Sequence, residues 1–306
     1  MDSTAPACRY LPERPEGALR ERLARVSYIF TDLDGTMFAP GSCALIDNDR
    51  APSLTLVSAI VDLKRAGIEI IPCSGRCRAM IREDCRVLGF NSFIGEMGGL
   101  LMYDLKADDW EYFTGDMAYD PACGLTPHQV LERTGVPQRI IERWPGHIEY
   151  YNDMANSYKY REVTVTMRGD VPESDLKALI DESGAKINLA NNGLLGYVSK
   201  PTTLTPTEGA AVWGCVLTPW GLDKGEALDH FCDHQGIDQS HTLGIGDSTS
   251  DFQLADHVGT FVCVENALDD PEVRELLETH GNTYVAPGRT VDGWAHMARA
   301  LLAARA

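Results

Sequence analysis

Two aspartates two residues apart, Asp32 and Asp34, stand in the run Phe30-Thr31-Asp32-Leu33-Asp34-Gly35-Thr36. Such a pair can divide a reaction between an attacking oxygen and a proton carrier. A carboxylate is a weak nucleophile, yet it attacks a phosphoryl group when a divalent cation screens the repulsion between them. A hard, oxygen-liganded ion such as magnesium suits that task. The preceding Val26-Ser27-Tyr28-Ile29 is β-branched and aromatic, which predicts a buried strand and sets both carboxylates where it ends. Gly35 lets the chain turn there, so that side chains which alternate along a strand can converge. Taken alone, Asp-Gly marks an ordinary polar turn equally well.

The same arrangement recurs. Ile68 to Cys73 reads as a second buried strand, and Ser74-Gly75-Arg76 follows it just before a helix expected over 77–88. A hydroxyl, a glycine and the first amides of a helix are donors suited to phosphate oxygens, and Arg76 adds a charge. A third strand, Thr242 to Ile245, runs into Gly246-Asp247-Ser248-Thr249-Ser250-Asp251. In open α/β sheets the carboxyl edge of the strands is where ligands bind.

Strand and helix patterns alternate up to about residue 106, with a loop rich in Gly, Pro, Asp and Asn at 37–52 and a helix from Ser53 to Gly67. Glu96-Met97-Gly98-Gly99 reads as a turn between two strands. From 107 to about 214 the alternation breaks, and an inserted α+β domain is expected. Helices are expected there at 126–134 and 172–182, and strands at 162–167, 185–189 and 194–199. Val212 to Leu217 reads as the strand with which βα alternation resumes, followed by a helix from Leu222 to about 235. A strand at 260–264 and helices at 271–280 and 291–304 close the chain. The resulting division is an N-terminal extension (1–25), a loosely held arm with Pro12 and Pro15, then core (26–106), insert (107–214) and core (215–306).

The 306 residues are 44% hydrophobic and 24% charged, with 27 Lys and Arg against 45 Asp and Glu, a formal net charge of -18. That balance disfavours nucleic acid and anionic membranes as partners, and an anionic substrate would need a local positive cluster. Residues 1–25 hold no continuous apolar segment, so neither a secretory signal nor a membrane anchor is visible and a cytoplasmic protein is expected. Nine cysteines without a C-x-x-C pair read as reduced thiols.

The Asp32–Thr36 loop, the Ser74-Gly75-Arg76 turn, Lys224 at a helix start, and Asp247 with Asp251 after a strand occur here in the order that resembles the haloacid dehalogenase-like (HAD) superfamily of magnesium-dependent phosphohydrolases. The large insert is similar to the C2-type cap of the Cof-like and sucrose-phosphatase-like branch. So are Glu265-Asn266-Ala267 and the final Tyr284–Trp294 stretch to that branch's C-terminal pattern. The resemblance implies an α/β fold with a Rossmann-like parallel-sheet core and an inserted α+β cap. It also implies that Asp32 is nucleophile and metal ligand. Asp34 would bind the metal through its carbonyl oxygen and handle protons through its side chain. Ser74, Gly75, Lys224 and Ser250 would hold phosphate, Asp247 would anchor Mg2+, and Thr36, Arg76 and Asp251 would support them. Two positions depart from the pattern: Ser250 stands where an asparagine is usual, and Met97 replaces the asparagine of a Glu-Asn-Gly sequence.

The function implied is hydrolysis of a small phosphomonoester, a sugar phosphate before others, through an aspartyl-phosphate. A phosphosugar mutase of the same fold is a rival, and a non-catalytic regulatory or binding protein a more distant one, because Asp32, Asp34 and Lys224 are all retained. His230 and His234, four apart with Cys232 between, have zinc-like spacing but lack further ligands and read as a solvated face. In the insert, Trp144, His147, Tyr150, Tyr151, Tyr158, Lys159, Tyr160 and Arg161 form an aromatic, partly basic group, suited to a sugar or simply to a domain core.

Overall fold

In the computed structural model, residues 8–151, 160–196 and 198–306 are described. The strands are β1 (Tyr28–Thr31), β2 (Glu69–Pro72), β3 (Phe93–Gly95), β4 (Leu100–Asp104), β5 (Asp109–Tyr112), β6 (Ile148–Tyr150), β7 (Val165–Gly169), β8 (Ile187–Leu194), β9 (Trp213–Pro219), β10 (Thr242–Gly246), β11 (Thr260–Val264) and β12 (Thr283–Ala286). The α-helices are α1 (Gly17–Arg25), α2 (Thr55–Arg65), α3 (Arg78–Leu88), α4 (Pro127–Arg133), α5 (Val136–Arg143), α6 (Glu173–Ser183), α7 (Lys224–Gln235), α8 (Thr249–Phe252), α9 (Pro271–Thr279) and α10 (Thr290–Arg305). Two compact units emerge, one of residues 1–74, 87–93 and 224–306, the other of 75–86 and 94–223.

The first unit is built on a five-stranded parallel sheet ordered β12-β11-β10-β1-β2. Every residue of β10 and β11 is buried, as expected of parallel strands covered on both faces. Successive connections leave β1 in opposite directions, to β2 on one side and β10 on the other, so the sheet's switch point lies between β1 and β10. Helix α10 packs against α1 and α2. Its Ala295, Ala298, Ala300 and Ala304 are buried along with Trp294, Met297 and Leu301. The Trp294 indole N–H donates to Thr31 Oγ1 at 3.0 Å, and that hydroxyl donates to the Asp32 carbonyl at 2.7 Å. The end of β1 is thereby fixed from beneath.

From Arg9 onward the N-terminal arm is held, not loose. Leu11 N–H donates to the Val285 carbonyl at 2.8 Å and Val285 N–H to the Arg9 carbonyl at 2.9 Å, so the arm adds a bridge to the edge strand β12. Leu11 and Leu23 are fully buried. The pairing partner lies more than 270 residues away, and no local pattern announces it.

In the second unit β4 and β5 form an antiparallel hairpin. A separate four-stranded antiparallel sheet, ordered β6-β7-β9-β8, carries α4, α5 and α6 on one face. Leu131, Ile140, Leu176 and Ile180 from the helices bury Val165, Met167, Cys215 and Leu217 from the strands. Here the structure corrects two expectations. One strand, β8, occupies 187–194 where two flanking ones were expected, and β9 is an inner strand of this antiparallel sheet and does not begin a renewed parallel one. Six of the seven β9 residues are buried, so it lacks the alternation that betrays an antiparallel strand. Of the aromatic group, Tyr158 and Lys159 lie outside the described residues. Among the described residues, no helix is long and apolar enough to cross a membrane.

Candidate active site

The site forms at the carboxyl ends of β1 and β10, which run side by side with Thr31 opposite Ile245. Asp32 N–H continues the ladder to the Ile245 carbonyl at 2.9 Å, and one residue further along the partner strand comes Gly246 and then Asp247. Gly246 is a steric requirement, because a Cβ there would lie 2.2 Å from the Cβ of Asp251. Gly35 is another: it has φ +88°, and its Cβ would lie 2.4 Å from Asp247 Oδ2. Thr36 donates its hydroxyl to Asp247 Oδ1 at 2.9 Å. The two strand-end loops therefore meet directly.

Lys224, the first residue of α7, is buried with its ammonium 2.6 Å from Asp251 Oδ1 and 3.7 Å from Asp32 Oδ1. The other Asp251 oxygen accepts from Asp247 N–H at 3.1 Å, Ser248 N–H at 3.0 Å and Ser248 Oγ at 2.7 Å. Ser250 Oγ sits 2.9 Å from Ser248 Oγ. Oxygens of Asp32, Asp247 and Asp251 all lie within 4.8 Å of one another.

Charge does not balance in this cluster. Burial, and then the neighbouring Asp251, push the Asp32 carboxyl well above its ordinary value, with Lys224 only partly opposing them. Burial and Asp251 likewise push Asp247 up to about 7, against the Thr36 hydrogen bond and Lys224. For Lys224 burial acts downward, yet Asp251 and Asp32 outweigh it and hold the ammonium above its usual range, hence charged. Among the described residues, one cation thus faces several carboxylates in a desolvated place. An all-oxygen donor set short of positive charge fits a hard divalent cation.

A family model of haloacid dehalogenase-like hydrolases matches residues 170–276. A phosphoglycolate phosphatase of Methanospirillum hungatei is 24% identical over 243 residues, which are 79% of this chain and 85% of that protein. A crystal structure from Thermoplasma acidophilum superposes with a TM-score of 0.60 at 15% identity, covering 91% of this chain and 99% of that one. The sucrose-phosphatase of Synechocystis, crystallised with sucrose and phosphate, gives 0.55 at 17% identity, covering 87% and 93%. Residues 170–276 thus match haloacid dehalogenase-like hydrolases, and most of the chain is similar in sequence to phosphoglycolate phosphatases. The chain has a parallel core and an additional antiparallel α+β unit, the fold of those solved structures, and it is a phosphatase.

Within this hydrolase, Asp32, Thr36, Lys224, Asp247, Ser250 and Asp251 come together as described. The Asp34 side chain stays outside the carboxylate cluster: it is exposed and accepts from Ser42 Oγ at 2.6 Å. Ser74 is buried just past β2, where Cys73 N–H donates to the Thr31 carbonyl at 2.7 Å. Gly75 and Arg76 belong to the second unit. There Arg161 donates to the Gly75 carbonyl, and the Arg76 guanidinium pairs with Asp84 at 2.6 Å, so its charge already has a counter-ion. Met97, which departs from the family pattern, lies in a left-handed conformation at φ 62° and sets its sulfur against Gly75, where a Cβ would lie 3.1 Å away. Sequence reasoning named neither Ser42 nor Asn266 as a site residue. Asn266 follows β11, so the strand-end rule that found the aspartates applied to it as well.

Proposed function

We propose that the enzyme hydrolyses the phosphomonoester of a small metabolite through an aspartyl-phosphate on Asp32, with Mg2+ as its cation. The observation that carries this reading is the unequal use of the carboxylates around Lys224. Asp251 accepts four hydrogen bonds and is fully engaged in positioning. Among the described residues the Asp32 side chain has only the 3.7 Å ion pair with Lys224, which leaves its oxygens available to attack. Asp32, the Asp34 carbonyl and Asp247 would hold the cation, with Asp251 orienting its surroundings. When bound, magnesium screens the repulsion between a phosphoryl group and the Asp32 carboxylate.

In the first step an Asp32 oxygen bonds to phosphorus as the bond to the leaving oxygen breaks, and Asp34 gives that oxygen its proton. In the second, Asp34 takes a proton from water as the water oxygen attacks phosphorus, releasing phosphate and restoring the Asp32 carboxylate. Lys224 stabilises the charge that gathers on the phosphoryl oxygens, with Ser74 and Ser250 as further donors. Asp34 suits the proton role because it stays near solvent while its charge still acts on Asp32 and Asp247.

A sugar phosphate is the substrate class supported by the likeness to sucrose-phosphatase. A second reading, 2-phosphoglycolate, is favoured by the curated relatives that bear that name. Phosphate release from a panel of sugar phosphates and 2-phosphoglycolate, with and without magnesium, decides between them. Isomer formation with a bisphosphate activator and little free phosphate would instead indicate a mutase. No magnesium-dependent turnover of any kind would overturn the reading.

A further inference from the structure

Asn266 sits just beyond β11 with its side-chain amide turned toward the nucleophile loop. Its Nδ2 donates to the Gly35 carbonyl at 2.9 Å and to Asp247 Oδ2 at 3.2 Å, while its Oδ1 accepts from Thr290 N–H at 2.8 Å. All three contacts agree on one orientation of the amide, since the N–H of Thr290 can meet only an oxygen and the Gly35 carbonyl only a donor. Asp247 Oδ1 is already engaged by Thr36, so Asn266 sets its other oxygen.

Thr290, at the start of α10, has φ +37°, a region that a β-branched residue enters only under constraint. The constraint is visible. Its N–H is bound to Asn266, and its hydroxyl donates to Asn48 Oδ1. Asn48 in turn donates to the Arg289 carbonyl at 2.9 Å and to Asp292 Oδ2 at 3.0 Å. Asn48 belongs to the 37–52 segment, the same segment whose Ser42 holds Asp34. An unbroken chain of hydrogen bonds thus runs from that segment through Thr290 and Asn266 to Asp247 and the turn after Asp34.

We propose that Asn266 is a positioning residue for the cation-binding carboxylate, and that Asn48 acts on the same carboxylate through Thr290. This rests on the reading of Asp32 and Asp247 as the reacting and cation-holding groups. Asn266 donates to Asp247 and to the loop between Asp32 and Thr36 with one amide, so it fixes the separation of the two loops before any cation arrives. Without it, Asp247 Oδ2 loses a donor and the Gly35 carbonyl is left to solvent. Groups that orient a metal ligand in this way typically change metal affinity roughly 10- to 100-fold when removed.

The test is a magnesium titration of the native protein, Asn266→Ala and Asn48→Ala, followed by melting temperature and separately by phosphate release at saturating substrate. Asn266→Ala is expected to raise the magnesium concentration at half-effect by about 10- to 100-fold in both readouts. Asn48→Ala should shift both in the same direction by a smaller factor. Turnover by Asn266→Ala should recover at high magnesium, with the substrate KM little changed there. A merely structural asparagine would lower the melting temperature equally with and without magnesium and leave the titration midpoint in place, and that outcome overturns the proposal. Should the native protein itself show neither a magnesium-dependent melting shift nor turnover, the functional reading fails first.

Discussion

The two units treat buried charge in opposite ways. In the antiparallel unit, Arg168 is wholly buried and spends its guanidinium on Glu149 at 2.9 Å, on the Ser199 hydroxyl and carbonyl at 2.7 and 2.9 Å, and on the Pro201 carbonyl at 3.1 Å. Burial would raise the Glu149 carboxyl, yet hydrogen bonds from Thr203, Thr202 and Arg168 hold it below its ordinary value. Buried Glu96 is treated alike, accepting from the backbone of Glu162, Val163 and Thr164 and from the Thr164 hydroxyl. In the parallel unit, Lys224 faces the Asp32, Asp247 and Asp251 carboxylates, and two of these are pushed upward. Satisfied clusters tie segments of chain together. The unsatisfied one is the cluster proposed above to take on a cation and a phosphoryl group.

This contrast can be broken most severely at Lys224. Lys224→Met leaves the carboxylates without the ammonium that faces them, and kcat is expected to fall about 10³-fold, as for loss of a preorganised charge at a transition state. The metal-free variant should also be less stable, by roughly 3 to 5 kcal/mol, with magnesium recovering part of the loss in thermal melts. Retention of native turnover would show that Lys224 serves the fold alone.

Arg168→Met sharpens the other side. Removing this guanidinium strips Glu149 of its charged partner and leaves the Ser199 and Pro201 carbonyls short of a donor, at a cost of roughly 3 kcal/mol in denaturant unfolding. The magnesium titration midpoint should stay within twofold of native. A large shift in that midpoint would mean that the two clusters are not separate in kind.

A smaller effect concerns pH. Asp247, raised from 3.8 to about 7, keeps its proton in the folded protein over a range where the unfolded chain has lost it. Its stabilising contribution is therefore present below about pH 4 and is lost as pH rises through about 7. The metal-free protein should lose more melting temperature between pH 5 and pH 8 than Asp247→Asn does, and magnesium at pH 8 should restore the native protein more than the variant. Equal pH slopes would show that the carboxylate is not strained by its surroundings.

The parallel unit was the more legible in sequence for the same physical reason. Its strands are short apolar runs, and each one ends abruptly in residues that cannot be core, so Asp32, Ser74 and Asp247 stand out where β1, β2 and β10 stop. Lys224 was legible only through the order of motifs, because a lysine at a helix start is by itself unremarkable in charge or spacing. The bridge of residues 9–11 to β12 depends on a partner distant in sequence. The fate of β9 was hidden because a nearly fully buried antiparallel strand carries the pattern of a parallel one. Arg76 read as a free charge beside a glycine, while its counter-ion Asp84 lay eight residues away on the next helix.

The central claim is that Asp32 carries the phosphoryl group. Its most direct test is magnesium-dependent phosphate release from the best substrate of the panel, compared between the native enzyme and Asp32→Asn, with the folded state of both checked by thermal melting. Loss of an attacking group of this kind predicts a fall of roughly 10⁴- to 10⁶-fold in a variant that still folds. Release within tenfold of native by folded Asp32→Asn would contradict the covalent mechanism.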